Sequence, residues 1–254
     1  MSIKDIYNSN KQRILTGFVL LGIAILIAVM DSLFITWTIL GVAYICAFHE
    51  AMKLFGAKDN KLYVYAAIVW IAAAFYPYPT GLIFIVLIIS AGYMAHKKEV
   101  NFKALAPFLY PSISMLFLFT LYKEFGMNML IWLVVIVAIT DTGAYFVGKG
   151  IGKTSFSPTS PNKTWEGVIG GIVLASIAGT FVGMMYQPLW IAFIVSVLVS
   201  VSSVWGDLFE SYLKREAGVK DSGDILPGHG GFLDRLDGYL FASVVMVFIL
   251  RGLI

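Results

Sequence analysis

Nine apolar stretches of roughly membrane-spanning length run through this chain, and they constrain its fold more than any other feature. A helix needs roughly 17–25 mostly apolar residues to cross the hydrocarbon core of a bilayer. The composition agrees, because only 13% of the 254 residues are charged, against about 25% in soluble domains. The sequence therefore predicts an all-α polytopic membrane protein. Its predicted spans run approximately over 14–30, 33–48, 62–76, 80–95, 105–122, 127–147, 166–186, 188–205 and 238–254.

The basic residues indicate how these spans are oriented. Several stretches are short, so eight to ten spans remain compatible with the sequence. Cytoplasmic loops of membrane proteins carry an excess of Lys and Arg, and 16 of the 18 basic residues lie in five segments that nine spans would place on one side. The sequence therefore predicts a multi-pass protein of a cell membrane, most simply a bacterial inner membrane, with a cytoplasmic N-terminus. The five cytoplasmic segments are 1–13, 49–61, 96–104, 148–165 and 206–237.

The charge distribution argues against a nucleic-acid partner, and the cysteine count excludes an intramolecular disulfide. The net charge is only +3 and the basic residues are spread along the chain, whereas nucleic-acid-binding domains cluster them on one face. We therefore expect no nucleic-acid partner. The single cysteine, Cys46, cannot form an intramolecular disulfide and is interpreted as a buried, inert thiol.

Asp141 is an acidic residue near the cytoplasmic end of an apolar stretch. A carboxylate at membrane depth costs about 2.5–3.5 kcal/mol on insertion scales, so Asp141 needs a partner or a function. Contact with the interface or with Thr142 is the structural alternative. The loop that follows, 148–165, holds glycines, hydroxyls and three lysines, which is typical of phosphate-binding segments. A flexible basic loop against anionic lipid headgroups remains the alternative for it.

The longest polar segment, 206–237, carries seven of the 15 acidic residues. Asp207, Glu210 and Lys214 recur at helical spacing, which predicts that they share one face of a helix leaving the membrane. We expect this helix to end near Gly218. The sequence PGHGG then predicts a tight turn that brings backbone N–H groups and His229 to one point.

Acidic residues therefore stand at both ends of this segment. Asp234 and Asp237 open the final span, where the helix dipole favours carboxylates. If the segment folds back, Asp207 and Asp234 meet, and two close carboxylates repel unless a proton or a cation lies between them. Oxygen ligands beside basic residues favour Mg²⁺ shared with a substrate phosphate. The sequence thus predicts Asp207, Asp234 and Asp237 as metal ligands, with Asp141 as a further candidate and a second cation left open.

Three segments of the C-terminal half resemble one known family. The run SYLKREAGVKDSGDILPGHGGFLDRLD, residues 211–237, resembles the signature of the phosphatidate cytidylyltransferase family, also called CDP-diacylglycerol synthases. The segments DTGAYFVGKGIGK, which begins at Asp141, and SPNKTWEG, residues 160–167, are similar to the same family. The resemblance predicts a variable transmembrane region over 1–126, with about five spans, and a catalytic transmembrane region over 127–254.

The resemblance implies a reaction and a set of site residues. The reaction is transfer of a cytidylyl group from CTP to phosphatidate, which gives CDP-diacylglycerol and pyrophosphate for phospholipid biosynthesis. Because an anionic lipid phosphate must approach an anionic triphosphate, such a reaction needs positioning and Mg²⁺ rather than a general base. It also implies a homodimer, which the sequence alone cannot test. The candidate catalytic residues are Asp207, Asp234, Lys214, Arg215 and Arg235; the candidate substrate-binding residues are Lys163, Lys220, His229, Gly230, Gly231 and Asp141.

Two other functions fit parts of the pattern. A membrane transferase that acts on polyprenyl or sugar phosphates also needs Mg²⁺ and aspartates. An ion-coupled transporter would use Asp141 to bind its ion, but it would be expected to carry charges at mid-membrane in several spans and paired broken helices. In this sequence the charges gather at one face of the predicted membrane domain.

Overall fold

The computed structural model describes the backbone of residues 3–253 and the side chains of Gln12 and of residues 15–253. Most side chains of the predicted cytoplasmic segment 1–13 therefore lie outside the described part. The chain is 79% helical, which confirms the all-α class. The helices are α1 (Ile3–Met30), α2 (Leu33–Leu54), α3 (Lys61–Phe75), α4 (Leu82–Lys97), α5 (Phe102–Pro107), α6 (Ile113–Phe125), α7 (Met127–Ile151), α8 (Trp165–Gly183), α9 (Leu189–Glu216) and α10 (Leu233–Leu253).

Seven helical stretches of the described residues are long and apolar enough to cross a membrane. Two shorter apolar helices, Leu15–Met30 and Lys61–Phe75, accompany them. Each of the nine predicted spans overlaps one of these stretches, so their positions are confirmed. How many of them cross the bilayer, and in which orientation, stays a prediction. The seven longer stretches are Leu33–Leu54, Pro79–Lys97, Phe102–Phe125, Met127–Ile151, Trp165–Gly183, Leu189–Glu216 and Leu233–Leu253.

One predicted span is interrupted. Between α5 and α6 the chain forms a π-helical turn, Phe108–Ser112, in which Tyr110 has an extended backbone with φ −145° and ψ 116°. Pro111 follows directly, and a proline has no N–H with which to continue the helical hydrogen bonds. The stretch 105–122 is therefore two helices with a break between them.

The described residues form two compact units. The first unit contains the chain up to Phe119 together with Val219–Arg235, and the second contains Thr120–Gly218 together with the residues from Leu236 onward. Helix α10 begins in the first unit and continues in the second. The predicted division into a variable region 1–126 and a catalytic region 127–254 concerns function, and it stays a prediction.

In the first unit, two tryptophans join α2 to α3. The indole nitrogen of Trp37 donates to the carbonyl oxygen of Trp70 at 3.1 Å, and the indole nitrogen of Trp70 donates to the carbonyl oxygen of Trp37 at 3.2 Å. Gly41 allows this approach, because a Cβ atom there would lie 2.4 Å from the indole nitrogen of Trp70. Paired in this way, each indole N–H satisfies a hydrogen bond inside an apolar environment.

In the second unit, small residues bring α7 and α8 into backbone contact. A Cβ atom on Gly171 would lie 2.5 Å from the carbonyl oxygen of Thr140, and one on Gly143 would lie 3.1 Å from the Cα atom of Gly171. Small residues at helix interfaces allow such close packing within membranes. The hydroxyls of Thr140 and Ser200 are 2.7 Å apart, which joins α7 to α9 as well. The second unit therefore has a tightly packed three-helix core.

Candidate functional site

A short hairpin between α7 and α8 is the first element of the candidate site in the second unit. Strands β1 (Ser155–Ser157) and β2 (Ser160–Thr164) pair antiparallel, where the sequence predicted only a loop. The carboxylate of Glu166 accepts from the backbone N–H groups of Lys153 and Thr154 at 3.1 and 3.2 Å. The hydroxyl of Thr164 accepts from the N–H of Gly167 at 3.2 Å and caps α8. These bonds attach the hairpin to the start of α8.

Lys163, on β2, forms an ion pair with Asp207 on α9. Ser211, one turn further along α9, donates to the other carboxylate oxygen of Asp207 at 3.4 Å. Both charged side chains stay partly exposed, at 28% for Lys163 and 23% for Asp207. The pair joins the two predicted cytoplasmic segments 148–165 and 206–237 at one end of the helices. The side of the membrane on which this end lies stays a prediction.

Asp207 is one of four carboxylates that form a cluster. The carboxylate of Asp237 interacts electrostatically with those of Asp207, Glu210 and Asp141. Helix α10 reaches α9 at Gly206, where a Cβ atom would lie 2.4 Å from the carbonyl oxygen of Asp237. The sequence predicted that Asp207 and Glu210 share a face of α9, and both interact electrostatically with Asp237. Three of the predicted acidic site residues, Asp141, Asp207 and Asp237, therefore belong to one cluster.

The second cation of this cluster is Lys214. It forms an ion pair with Glu210, one turn earlier on α9, with 2.5 Å between the ammonium nitrogen and the carboxylate oxygen. Glu210 is fully buried, and Lys214 is 9% exposed. Two lysines, Lys163 and Lys214, thus pair with two of the four carboxylates, Asp207 and Glu210.

A cavity of about 450 Å³ adjoins the cluster. Its volume lies within the range of roughly 300–1,000 Å³ that is typical of small-molecule sites. Its lining includes two carboxylates together with hydroxyl, amide and ammonium groups. The polar and charged residues that line it are Thr140, Asp141, Tyr145, Lys149, Ser160, Asn162, Lys163, Thr164 and Asp207.

The carboxylates of the cluster are the kind of donor that a divalent cation prefers. Mg²⁺ prefers carboxylate oxygens and usually takes one or two of them, with water and substrate phosphates completing its shell. Among the described residues, no group of three or more His, Cys, Asp or Glu side chains is arranged to hold a metal ion. The predicted Mg²⁺ at this cluster therefore stays a prediction.

The first unit has its own acidic cluster, built on the turn after α9. Asp234 accepts from the N–H of Gly231 at 2.7 Å and from the N–H and hydroxyl of Ser222, both at 3.0 Å. Asp207 belongs to the second unit, so the predicted meeting of Asp207 and Asp234 stays a prediction. Gly231, expected to offer its N–H to a nucleotide, here offers it to Asp234.

The predicted PGHGG turn is present in the first unit. Gly228 and Gly230 have φ values of +76° and +79°, which favour glycine. Leu226 donates its N–H to the carbonyl oxygen of Gly230 at 3.0 Å. Arg235 donates twice to the carbonyl oxygen of His229, at 3.1 and 2.9 Å. Arg235, expected at a phosphate, thus holds the turn through two of its N–H groups.

The remaining candidates lie at the surface or on the turn itself. Arg215 and Lys220 are exposed, as are Glu216 and Asp224, for which we expected only surface roles. The Nδ1 atom of His229 is buried and has no hydrogen-bond partner among the described residues. Its ring lies near α1, because a Cβ atom on Gly17 would be 4.0 Å from the ring. A role for His229 at a nucleotide stays a prediction.

Sequence reasoning missed Glu50, an acidic residue of the first unit. It lies inside α2 rather than in the predicted loop 49–61, because α2 continues to Leu54. Glu50 is fully buried and accepts from Ser222, Phe232 and Leu233. The signal that would have found it is an acid between apolar residues, the argument that singled out Asp141.

Together, these features are those of an α-helical protein with seven helical stretches long and apolar enough to cross a membrane, among the described residues, and with a charged cavity. Residues 11–253 match the cytidylyltransferase family, and the chain belongs to that family. Proteins named phosphatidate cytidylyltransferase from two strains of Helicobacter pylori are 46% and 45% identical to it, over 95% of this chain and 92% of their own length. One of the same name from Bacillus subtilis is 45% identical over 50% of this chain and 49% of its own length. The resemblance of residues 211–237 is thereby confirmed.

Proposed function

We propose that this protein transfers the cytidylyl group of CTP to phosphatidate and releases CDP-diacylglycerol and pyrophosphate. The observation that carries the proposal is the cavity of about 450 Å³ between Lys163, Asp141 and Asp207. It offers ammonium and hydroxyl groups for a triphosphate beside a carboxylate cluster that can share a cation with it. The relatives named phosphatidate cytidylyltransferase support the same reaction.

The reaction requires charge compensation more than proton transfer. An oxygen of the lipid phosphate forms a bond to the α-phosphorus of CTP, while the bond from that phosphorus to the oxygen bridging to the β-phosphate breaks. Pyrophosphate leaves with the electron pair. The attacking oxygen is already anionic at neutral pH, so no side chain has to remove a proton. Catalysis of this kind depends on positioning and on stabilising the developing negative charge.

In our proposal the Lys163–Asp207 ion pair opens when substrate binds. Lys163 then donates to a phosphate of CTP, and the hydroxyl and amide groups of Ser160, Asn162 and Thr164 hold the nucleotide against β2. Asp207 and Asp237 are the ligands we propose for Mg²⁺, with Asp141 near them and Asp234 as a further candidate. When bound, the cation supplies positive charge for the triphosphate and the leaving pyrophosphate. Lys163 thus exchanges the carboxylate of Asp207 for a phosphate, and Asp207 exchanges the ammonium group of Lys163 for the cation.

We also propose that the site faces the cytoplasm, where CTP is found. The support is the presence of 16 of the 18 basic residues in segments that alternate along the chain. A site at the ends of membrane helices also lets the acyl chains of phosphatidate stay in the bilayer. The homodimer that the family resemblance implies is part of this proposal, and we assign no residues to its interface.

The reaction is tested with purified protein, phosphatidate, Mg²⁺ and CTP labelled at its α-phosphate. We expect a labelled lipid and unlabelled pyrophosphate in equal amounts. Parallel reactions contain polyprenyl phosphate or diacylglycerol in place of phosphatidate. Labelling with polyprenyl phosphate alone would favour the other class of membrane transferase. Absence of labelled lipid with every acceptor would contradict cytidylyl transfer.

Lys163→Ala is expected to lower kcat/KM for CTP by about 10- to 100-fold. The change removes one charge-assisted hydrogen bond, which contributes about 1.5–3 kcal/mol. Initial rates at subsaturating CTP measure the effect, and thermal unfolding in detergent separates it from a loss of stability. The matched control is Lys153→Ala, because Lys153 is an exposed lysine of the same connection and does not line the cavity. Wild-type kcat/KM in Lys163→Ala would remove Lys163 from the site.

The proposed orientation is tested with single cysteines in a Cys46→Ala background. Ser155 and Asp224 are exposed residues of the two predicted cytoplasmic segments, and Tyr78 is exposed in a predicted outer turn. We expect a membrane-impermeant thiol reagent to label Ser155→Cys and Asp224→Cys in inverted vesicles and Tyr78→Cys in intact cells. The reverse pattern would place the site on the outer side, away from CTP.

A further inference from the structure

Glu50 is a fully buried carboxylate in the last part of α2. Its Oε1 atom accepts from the N–H of Phe232 at 3.0 Å, and its Oε2 atom accepts from the N–H of Leu233 at 2.9 Å. Helix α10 begins at Leu233 and Phe232 directly precedes it, so both N–H groups lie at the N-terminus of α10, where a helix has no internal acceptors for them. Glu50 therefore satisfies the N-terminus of α10 from another helix.

The turn before α10 is shaped around this carboxylate. A Cβ atom on Gly223 would lie 2.4 Å from Oε1 of Glu50, and one on Gly231 would lie 2.4 Å from Oε2. Real Cβ atoms do not approach an oxygen so closely, so a side chain at either place would displace the carboxylate of Glu50 from its partners. Gly223 precedes the PGHGG turn and Gly231 is its last residue, so Glu50 contacts the turn on both sides of its tip.

Ser222 connects Glu50 to Asp234, the predicted metal ligand of this turn. Its hydroxyl lies 2.9 Å from Oε2 of Glu50 and 3.0 Å from Oδ2 of Asp234. A hydroxyl has one proton to donate, so it can serve only one of the two carboxylates at a time. A change in the partners of Asp234 thus changes the hydrogen bonds that Glu50 receives.

We propose that Glu50 is a positioning residue that holds the turn 222–233, and with it Asp234, in the conformation that turnover requires. Its buried charge anchors the turn through Ser222 and through the first N–H groups of α10. The effect on turnover rests on the proposed cytidylyl transfer, whereas the effect on the conformation of the turn does not.

Glu50→Gln tests this role because it keeps the shape of the side chain but replaces one acceptor oxygen with an NH₂ group. That group would face an N–H of α10 and repel it. The conformational readout is the thiol labelling rate of Leu226→Cys in a Cys46→Ala background, since Leu226 is 9% exposed in the turn. We expect Glu50→Gln to raise this rate about tenfold or more, because local opening exposes the thiol. Labelling of the exposed Asp224→Cys should not change.

The same variant is then measured for turnover. We expect kcat to fall about tenfold or more with a smaller change in KM for CTP, and Glu50→Asp to restore part of kcat because it keeps the charge. The matched control is Tyr63→Phe, which removes the hydrogen bond of 2.7 Å between Tyr63 and His49, the neighbour of Glu50 on α2. This control should keep both the labelling rate and kcat.

A second variant keeps the proposal testable if Glu50→Gln does not fold. Ser222→Ala removes only the hydroxyl that connects the two carboxylates. We expect it to change both quantities as Glu50→Gln does: labelling of Leu226→Cys rises and kcat falls. Wild-type labelling rates in Glu50→Gln, or in Ser222→Ala where the former does not fold, would overturn the proposal. A wild-type protein that transfers no cytidylyl group would contradict the proposed function and leave the labelling result standing.

Discussion

Asp207→Asn is expected to lower kcat by about 100-fold or more while the protein still inserts into membranes and purifies normally. Asparagine keeps the shape of the side chain but removes the charge that pairs with Lys163 and that we propose for the cation. Without it, the phosphatidate and the leaving pyrophosphate face uncompensated negative charge. Turnover at saturating CTP and phosphatidate, measured across a Mg²⁺ titration, gives the size of the effect.

The control for this variant is Glu216→Gln, which changes an exposed acid on the same helix and should leave kcat within about twofold of wild type. Removal of divalent cations by EDTA should reproduce the loss in the wild-type protein, and excess Mg²⁺ should restore its activity. If Asp207→Asn turned over at the wild-type rate under limiting Mg²⁺, Asp207 would not be a metal ligand, and Asp141 with Asp237 would be the next pair to change.

Gly171→Leu should prevent α7 and α8 from packing and should give little folded protein. Its Cβ atom would lie 2.5 Å from the carbonyl oxygen of Thr140 and 2.9 Å from the backbone nitrogen of Ala144. Both atoms belong to the α7 backbone, which cannot move aside as a flexible side chain does. Overpacking of this kind costs about 1–3 kcal/mol or more. Thermal unfolding in detergent and the yield of monodisperse protein measure it.

Gly150→Ala is the matched control, because a Cβ atom at Gly150, near the end of α7, has open space around it. Alanine is a better helix former than glycine by about 0.5–1 kcal/mol. The control should therefore be as stable as wild type or slightly more stable. A Gly171→Leu protein with the unfolding temperature of Gly150→Ala would show that α7 and α8 do not pack as described.

The parts of the site that obey local rules could be predicted from the sequence. The spacing of Asp207, Glu210 and Lys214 places them on one helix face whatever the rest of the chain does. Gly218, with φ +71°, follows the end of α9 as expected, because helices commonly end at a glycine in this conformation. The glycines of PGHGG predicted their turn for the same reason.

The features that depend on distant contacts could not be predicted in this way. Strands β1 and β2 are short and rich in serine and proline, so they lack the alternating apolar pattern that indicates a strand. The partner of Lys163 lies 44 residues away on α9, and no local rule connects a basic loop to one particular acid. Glu50 stands at the edge of an apolar stretch, where a charged residue is usually taken for the start of a loop.

The position of Glu50 in the chain has a consequence for the order in which the protein is assembled. Helix α2 is synthesised long before its partners, because Ser222 lies 172 residues and Leu233 lies 183 residues after Glu50. Until those residues and Phe232 emerge, the carboxylate of Glu50 lacks all three of its donors and must keep water or another polar group beside it. The first unit is therefore completed only when α10 begins to insert. A nascent chain that stops before residue 222 should be recognised as incomplete by membrane quality control, although every one of its helices up to α9 has already been made.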